Sequence, residues 1–129
     1  MLLIVITSTG LAQQNRQALI DQKAAAILPQ VIEWRRYLHQ HPELSNREYH
    51  TAAYVTDHLK KLGLEVHTGV AKTGIVAILK GGQPGPVVAL RADMDALPVK
   101  ERVDLPFKST VTAEYLGDTV PVMLSLIHI

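Results

Sequence analysis

At Gly63 the apolar pattern of this chain changes period, and that switch restricts the fold to helices layered against sheet. Before it, apolar residues recur at steps of three and four; after it, Leu64-Glu65-Val66-His67 alternates as a half-buried strand does. From Asn15 to about His41, Ile20, Ala24, Ile27, Val31, Trp34 and Leu38 mark one helical stripe. Pro29 falls inside that run, so it either kinks the helix or opens a second one as its first residue. His41-Pro42 closes it, because the residue before a proline disfavours the α region. Ser45-Asn46-Arg47-Glu48 reads as a capping box for the next helix, with Leu44 and Tyr49 placed as a hydrophobic staple. Ala52, Val55, Leu59 and Leu62 form its buried stripe, and Gly63 supplies a left-handed stop.

Gly74 to Leu79 reads as a second strand. Gly81-Gly82-Gln83-Pro84-Gly85 is a turn cluster, and Pro86 to Leu90 reads as a short, fully apolar strand. The turn cluster lacks the Lys-Ser/Thr of a phosphate-binding loop and precedes a strand rather than a helix. Two helices followed by three strands imply an α/β fold, a mixed sheet with helices on its faces. Past Pro98 the chain reads as irregular, with Leu105-Pro106-Phe107 a loop anchored by Phe107.

Length and charge narrow the function. The chain has 129 residues, 47% of them hydrophobic, enough for one domain with a core. A net charge of +1 with both signs interspersed argues against nucleic acid or an anionic membrane as partner. The lack of cysteine excludes disulfides and thiolate metal sites within this sequence. Residues 1–12 carry a short apolar run, Leu2 to Ile6, and the small-x-small pattern Gly10-Leu11-Ala12. They read as a secretory signal lacking its basic start, too short to span a bilayer. The expected location is therefore periplasmic or secreted, and cytoplasmic otherwise.

Asp93 and Asp95 follow the apolar run Val87-Val88-Ala89. On a strand, residues two apart share a face, so both carboxylates should enter one small volume. Two such anions repel unless a cation, donors or a shared proton relieve them. Ligands in open α/β sheets gather beyond the carboxyl ends of strands, so a metal-assisted site is the first expectation. His39 and His41 cannot share an ion on a helix, because positions two apart diverge by about 200°. His39 is expected to support nearby strand ends. His41, His50 and His58 are expected to face solvent, and His67 to lie on a strand edge with nothing to recruit. Glu43 reads as a loop carboxylate.

Several segments together resemble one family. Trp34-Arg35-Arg36-Tyr37-Leu38-His39-Gln40-His41-Pro42-Glu43-Leu44-Ser45 is similar to the opening motif of bacterial N-acyl-amino-acid amidohydrolases. These include hippurate hydrolases and sit beside aminoacylase and carboxypeptidase G among two-metal metallopeptidases. Thr73 to Ala77, Leu90 to Val99, Leu105 to Ser109 and Gly117 to Met123 are similar to later motifs. The resemblance implies that residues 13–123 are the N-terminal part of an α/β/α catalytic domain. It implies hydrolysis of the amide of an N-acyl amino acid with two divalent ions, zinc or manganese, in the full-length enzyme.

By the same resemblance, Asp95 accepts the N–H of a ligand histidine and fixes its tautomer. Asp93 stands where the wider family carries a metal-binding histidine. It is expected to pair with Arg91 or backbone amides, with Arg91 structural. The family continues past Val-Pro-Val-Met with Cys and His ligands, whereas this chain reads Leu124 to Ile129, a hexapeptide expected to be non-native. No bound metal and no catalysis are expected of these residues alone, since His128 by itself cannot supply the roughly three protein ligands of a catalytic ion. A lid domain implied downstream would carry any homodimer contact. The competing expectation is a small stand-alone α/β binding module with a weak cation or polar-ligand site at Asp93 and Asp95.

Overall fold

The computed structural model describes residues 9–125, with side chains described from residue 15. Residues 1–8 of the expected leader, and His128, lie outside them. The chain divides between residues 35 and 36 into two units, and every contact discussed below belongs to the second. Among the described residues, no helix is long and apolar enough to cross a membrane.

Helix α1 spans Thr9–Gln40 and contains Pro29 without being ended by it. Its sequence is rich in Ala, Leu and Gln, whose side chains lose little freedom in a helix. It stops one residue before His41-Pro42, as the restriction ahead of proline requires. Helix α2 spans Tyr49–Lys61 and ends as expected. Gly63 takes φ 75°, its amide bonds to Lys60 O at 2.9 Å, and the Leu64 amide bonds to Leu59 O at 3.3 Å. That pair of bonds is a Schellman motif.

The start of α2 differs from the capping-box expectation. A turn closed by the Arg47 amide on Leu44 O consumes Ser45, and Glu48 becomes the cap residue without a side-chain capping bond. Glu48 does reach back, but to the Asn46 amide at 3.0 Å. Tyr49 is 62% exposed and forms no staple, because Leu44 is drawn into the core instead. Thr51 and Thr56 are the buried residues of α2, while Leu62, now the C-cap, is 62% exposed. Two strands beside α2 are too few to cover the whole expected stripe.

Strands β1 (Glu65–Val70) and β2 (Gly74–Ile78) pair antiparallel, Glu65 opposite Ile78 and Thr68 opposite Ile75. The register slips at Gly69, which takes φ 75°. A Cβ on Gly74 would stand 2.4 Å from the Val70 carbonyl oxygen, so only glycine fits where the hairpin closes. Gly74→Ala is expected to destabilise the chain by about 1–3 kcal/mol, as overpacking against rigid backbone does, read as a lower urea midpoint.

The region past Pro98, expected to be irregular, holds a hairpin. Strands β3 (Thr112–Tyr115) and β4 (Asp118–Pro121) pair through a two-residue turn. Leu116 and Gly117 both have positive φ, 54° and 93°, the twist-matched geometry of tight hairpins. By contrast, Pro86 to Leu90 is not a strand: Val87 is 96%, Val88 78% and Leu90 96% exposed. A strand apolar on both faces needs neighbours on both, and the described residues provide none.

The core is small. Leu44, Ala96 and Val122 are buried together with Met123 beside them, and Val111, Ala113 and Leu124 pack around. Leu44 bridges Ala96 in parallel and Leu97 bridges Met123 antiparallel. The Ala96 amide donates to Glu43 O at 2.7 Å, and the Val122 amide to Val111 O at 2.9 Å. Four short extended segments therefore lie side by side, and Asp95 enters at one end of that ladder. Helix and sheet are mixed, as the period switch at Gly63 requires.

Candidate functional site

Asp95 is placed by the residue after it. Ala96, 2% exposed, is fixed by main-chain bonding to Glu43, so the backbone delivering the Asp95 carboxylate is pinned to the core. The side chain is partly buried and lines a cavity of about 160 Å³ with Leu44, Arg47, Leu97, Pro98 and Tyr115. The Arg47 guanidinium in that wall donates to the Glu114 carbonyl at 2.5 Å, not to Asp95. Among the described residues, Asp95 has no hydrogen-bond or ion-pair partner. An ionised carboxylate is acceptor-only, with about four lone-pair positions, so this group is open to an incoming N–H donor. A larger cavity, about 460 Å³, lies between residues 100–104 and the β3–β4 hairpin and does not include Asp95.

Asp93 does not join Asp95. It is exposed, and Arg91 Nη2 donates to its Oδ1 at 2.6 Å. The expected shared face depended on strand alternation through residues 86–95, and that strand is not formed. A solvated pair such as Arg91–Asp93 contributes little to stability. The stand-alone cation site loses its second carboxylate, which is neutralised by Arg91. Among the described residues no group of three or more His, Asp or Glu could hold a metal ion.

His39 meets a loop carboxylate rather than a strand end. Its Nε2 lies 2.5 Å from Glu101 Oε2, with the two side chains 20% and 8% exposed. The edge of its ring also meets Phe107, whose face carries the Arg36 guanidinium at 4.9 Å. Phe107 thus anchors its loop as expected. His41 is exposed, with Nδ1 2.8 Å from Tyr37 O. His67, expected to find no neighbour, lies 3.2 Å from Glu65.

Two carboxylates carry more structure than the sequence indicated. Glu43 takes the Thr51 amide at 2.7 Å and the His50 amide at 3.1 Å, and the His50 ring lies 2.9 Å away. It therefore caps α2 from outside the helix, where an anion also complements the helix dipole. No local motif signals this, because the carboxylate and the amides are seven and eight residues apart. Glu48, 6% exposed, accepts the Thr73 hydroxyl at 2.6 Å and so ties the start of α2 to the β1–β2 turn.

Burial pulls the Glu43 carboxyl upward, but the Thr51 and His50 hydrogen bonds together outweigh it and hold it below the usual value of 4.5. A depressed folded value means the cap's contribution is complete above the ordinary carboxylate range. It is lost as pH falls through the folded value. Glu43→Ala is accordingly expected to cost about 1 kcal/mol at pH 7, the usual worth of a helix cap, with the deficit shrinking below the ordinary carboxylate range. Urea melts of both proteins across pH 3–7 measure it.

No protein-family model matches the chain. It is similar to a thermostable carboxypeptidase of Saccharolobus solfataricus, 54% identical over 82 residues, covering 63% of this chain and 21% of the relative. It is similar to an N-acyl-L-amino acid amidohydrolase of Geobacillus stearothermophilus, 42% identical over 99 residues, covering 77% of this chain and 26% of the relative. Its fold matches the crystal structure of a Bacillus subtilis dinuclear metal-binding peptidase of the M20 family. The TM-score is 0.66 at 39% identity, over 78% of this chain and 26% of that one. The chain thus spans about a fifth to a quarter of the length of the proteins it matches.

Proposed function

We propose that this chain, a relative of the amidohydrolases and of the M20 dinuclear metallopeptidases, forms the Asp95-bearing part of a metal-dependent amide hydrolase. Its substrate class is N-acyl amino acids or similar conjugates, cleaved to a carboxylic acid and a free amino acid. The observation that carries the reading is the coincidence of two facts. Asp95 is held on the core ladder with its carboxylate unengaged, and the segment that carries it is matched by enzymes of this chemistry.

The residues described here do not fit a metal ion by themselves. The site needs two divalent ions, zinc or manganese, and their ligands come from sequence other than residues 9–125. Asp95 orients one of those ligands by accepting its N–H, which fixes the tautomer and makes the ring a better donor. His39 and Glu101 brace the end of α1 against the loop that follows Asp95, and Arg91 pairs with the exposed Asp93. Residues 1–12 act as an export signal, which places the enzyme outside the cytoplasm.

A chimera tests this. The chain replaces the matching segment of the Geobacillus stearothermophilus amidohydrolase, and hydrolysis of N-acyl amino acids is followed with and without added metal. Metal-dependent hydrolysis supports the reading; a folded chimera that takes up metal yet leaves the substrate intact refutes it.

A further inference from the structure

We infer that Glu43 is a positioning residue for Asp95. Its carboxylate is held by the first turn of α2 and its carbonyl holds Ala96, so the helix sets where the Asp95 carboxylate stands.

Both ends of this link are on one residue. The Glu43 carbonyl accepts the Ala96 amide at 2.7 Å, and Leu44 bridges Ala96 in parallel. Leu97, one residue on, bonds to Met123 through both its amide and its carbonyl. Among the described residues, the main-chain bond nearest Asp95 along the chain is therefore the one to Glu43. At the other end, both carboxylate oxygens are in use. Oε1 takes the His50 amide at 3.1 Å and lies 2.9 Å from the His50 ring Nδ1, while Oε2 takes the Thr51 amide at 2.7 Å.

The segment between the two ends is short and stiff. Pro42 has a fixed φ, and Leu44, 5% exposed, is locked into the core. A turn closes directly after it, the Arg47 amide on Leu44 O at 3.0 Å. A shift of Glu43 at the start of α2 thus has no flexible stretch in which to dissipate before it reaches Ala96. A cap that served α2 alone would need only the carboxylate; here the same residue also carries the bond that seats Asp95. Glutamine exposes the link, because its amide keeps the shape of the carboxylate but has one acceptor oxygen. Whichever way it turns, its NH2 group faces an N–H of α2, and the side chain must leave the helix.

The functional end of this role rests on the hydrolase reading, and two measurements keep the two failures apart. The first uses the full 129-residue chain and reads the NMR scalar coupling across the hydrogen bond from the Ala96 amide to the Glu43 carbonyl. Glu43→Gln is expected to abolish that coupling. Gly63→Ala, which strains the other end of α2 at a φ of 75°, is expected to keep it. Circular dichroism verifies that each variant is folded, and Glu43→Asp takes the place of Glu43→Gln if the latter is not. A coupling that survives in the folded Glu43 variant, or that Gly63→Ala abolishes equally, overturns the inference.

The second measures metal affinity in the chimera. Glu43→Gln is expected to weaken it by about tenfold, the low end for residues that act on a metal ligand from behind it. In an Asp95→Asn background the same change should cost nothing further, because the route through Asp95 is already cut. Additive losses overturn the inference. If Asp95→Asn alone leaves metal affinity at the native level, the hydrolase reading fails, and the coupling in the isolated chain still decides whether α2 holds Ala96 through Glu43.

Discussion

In the chimeric hydrolase, Asp95→Asn is expected to lower metal affinity and turnover by about 10- to 100-fold, the usual cost of removing a carboxylate that orients a metal ligand. The amide keeps the size of the side chain but loses its charge and half its acceptor capacity. A ligand ring that donated to Asp95 would then lose its orientation and its electronic push. The melting temperature of the isolated 129-residue chain should be nearly unchanged by the same substitution, because Asp95 has no partner among the described residues. That contrast separates a positioning role from a structural one. Equal losses in metal affinity and in the stability of the isolated chain would assign Asp95 to the fold.

Leu44→Ala is expected to be the most damaging change to the fold, costing about 2–5 kcal/mol as buried leucine truncations do. Leu44 is 5% exposed and joins Ala96 and Val122, which are 2% exposed, in a core with few other fully buried members. The neighbours cannot collapse freely into the gap, because Ala96 is bonded to Glu43 and Val122 to Val111 through the main chain. Loss of Leu44 also releases the segment that presents Glu43 to the start of α2. Thermal unfolding followed by circular dichroism should broaden and shift sharply downward. A shift no larger than that of an exposed control such as Leu62→Ala would show that the ladder is not the core.

What the sequence disclosed follows from the range of each interaction. The Gly63 stop and the two strands after it were legible because each is settled within a few residues, by a left-handed glycine and a change of period, whereas their antiparallel pairing was not read. The Glu43 cap was not, since its partners lie seven and eight residues on and on another element. The β3–β4 hairpin was hidden by its turn, where Leu116 takes a positive φ usually left to Asn, Asp or Gly, and by Pro121 at the strand's end.

Pro86 to Leu90 shows the opposite case. Its strand character is plain in composition, yet composition cannot supply the neighbouring strands on which a doubly buried strand depends. Asp95 was singled out because the apolar run before it suggests a carboxylate at a strand end, although that strand is not formed. Its seat on the Leu44–Ala96 ladder came from long-range pairing, and the face it was expected to share with Asp93 did not form.

Asp95 is proposed to supply an orienting carboxylate, while no group of three or more His, Asp or Glu among the described residues could hold a metal ion. The most direct measurement adds zinc or manganese to the purified 129-residue chain and follows hydrolysis of an N-acyl amino acid. No turnover at any metal concentration is predicted. Saturable, metal-dependent turnover by the chain alone would contradict the account.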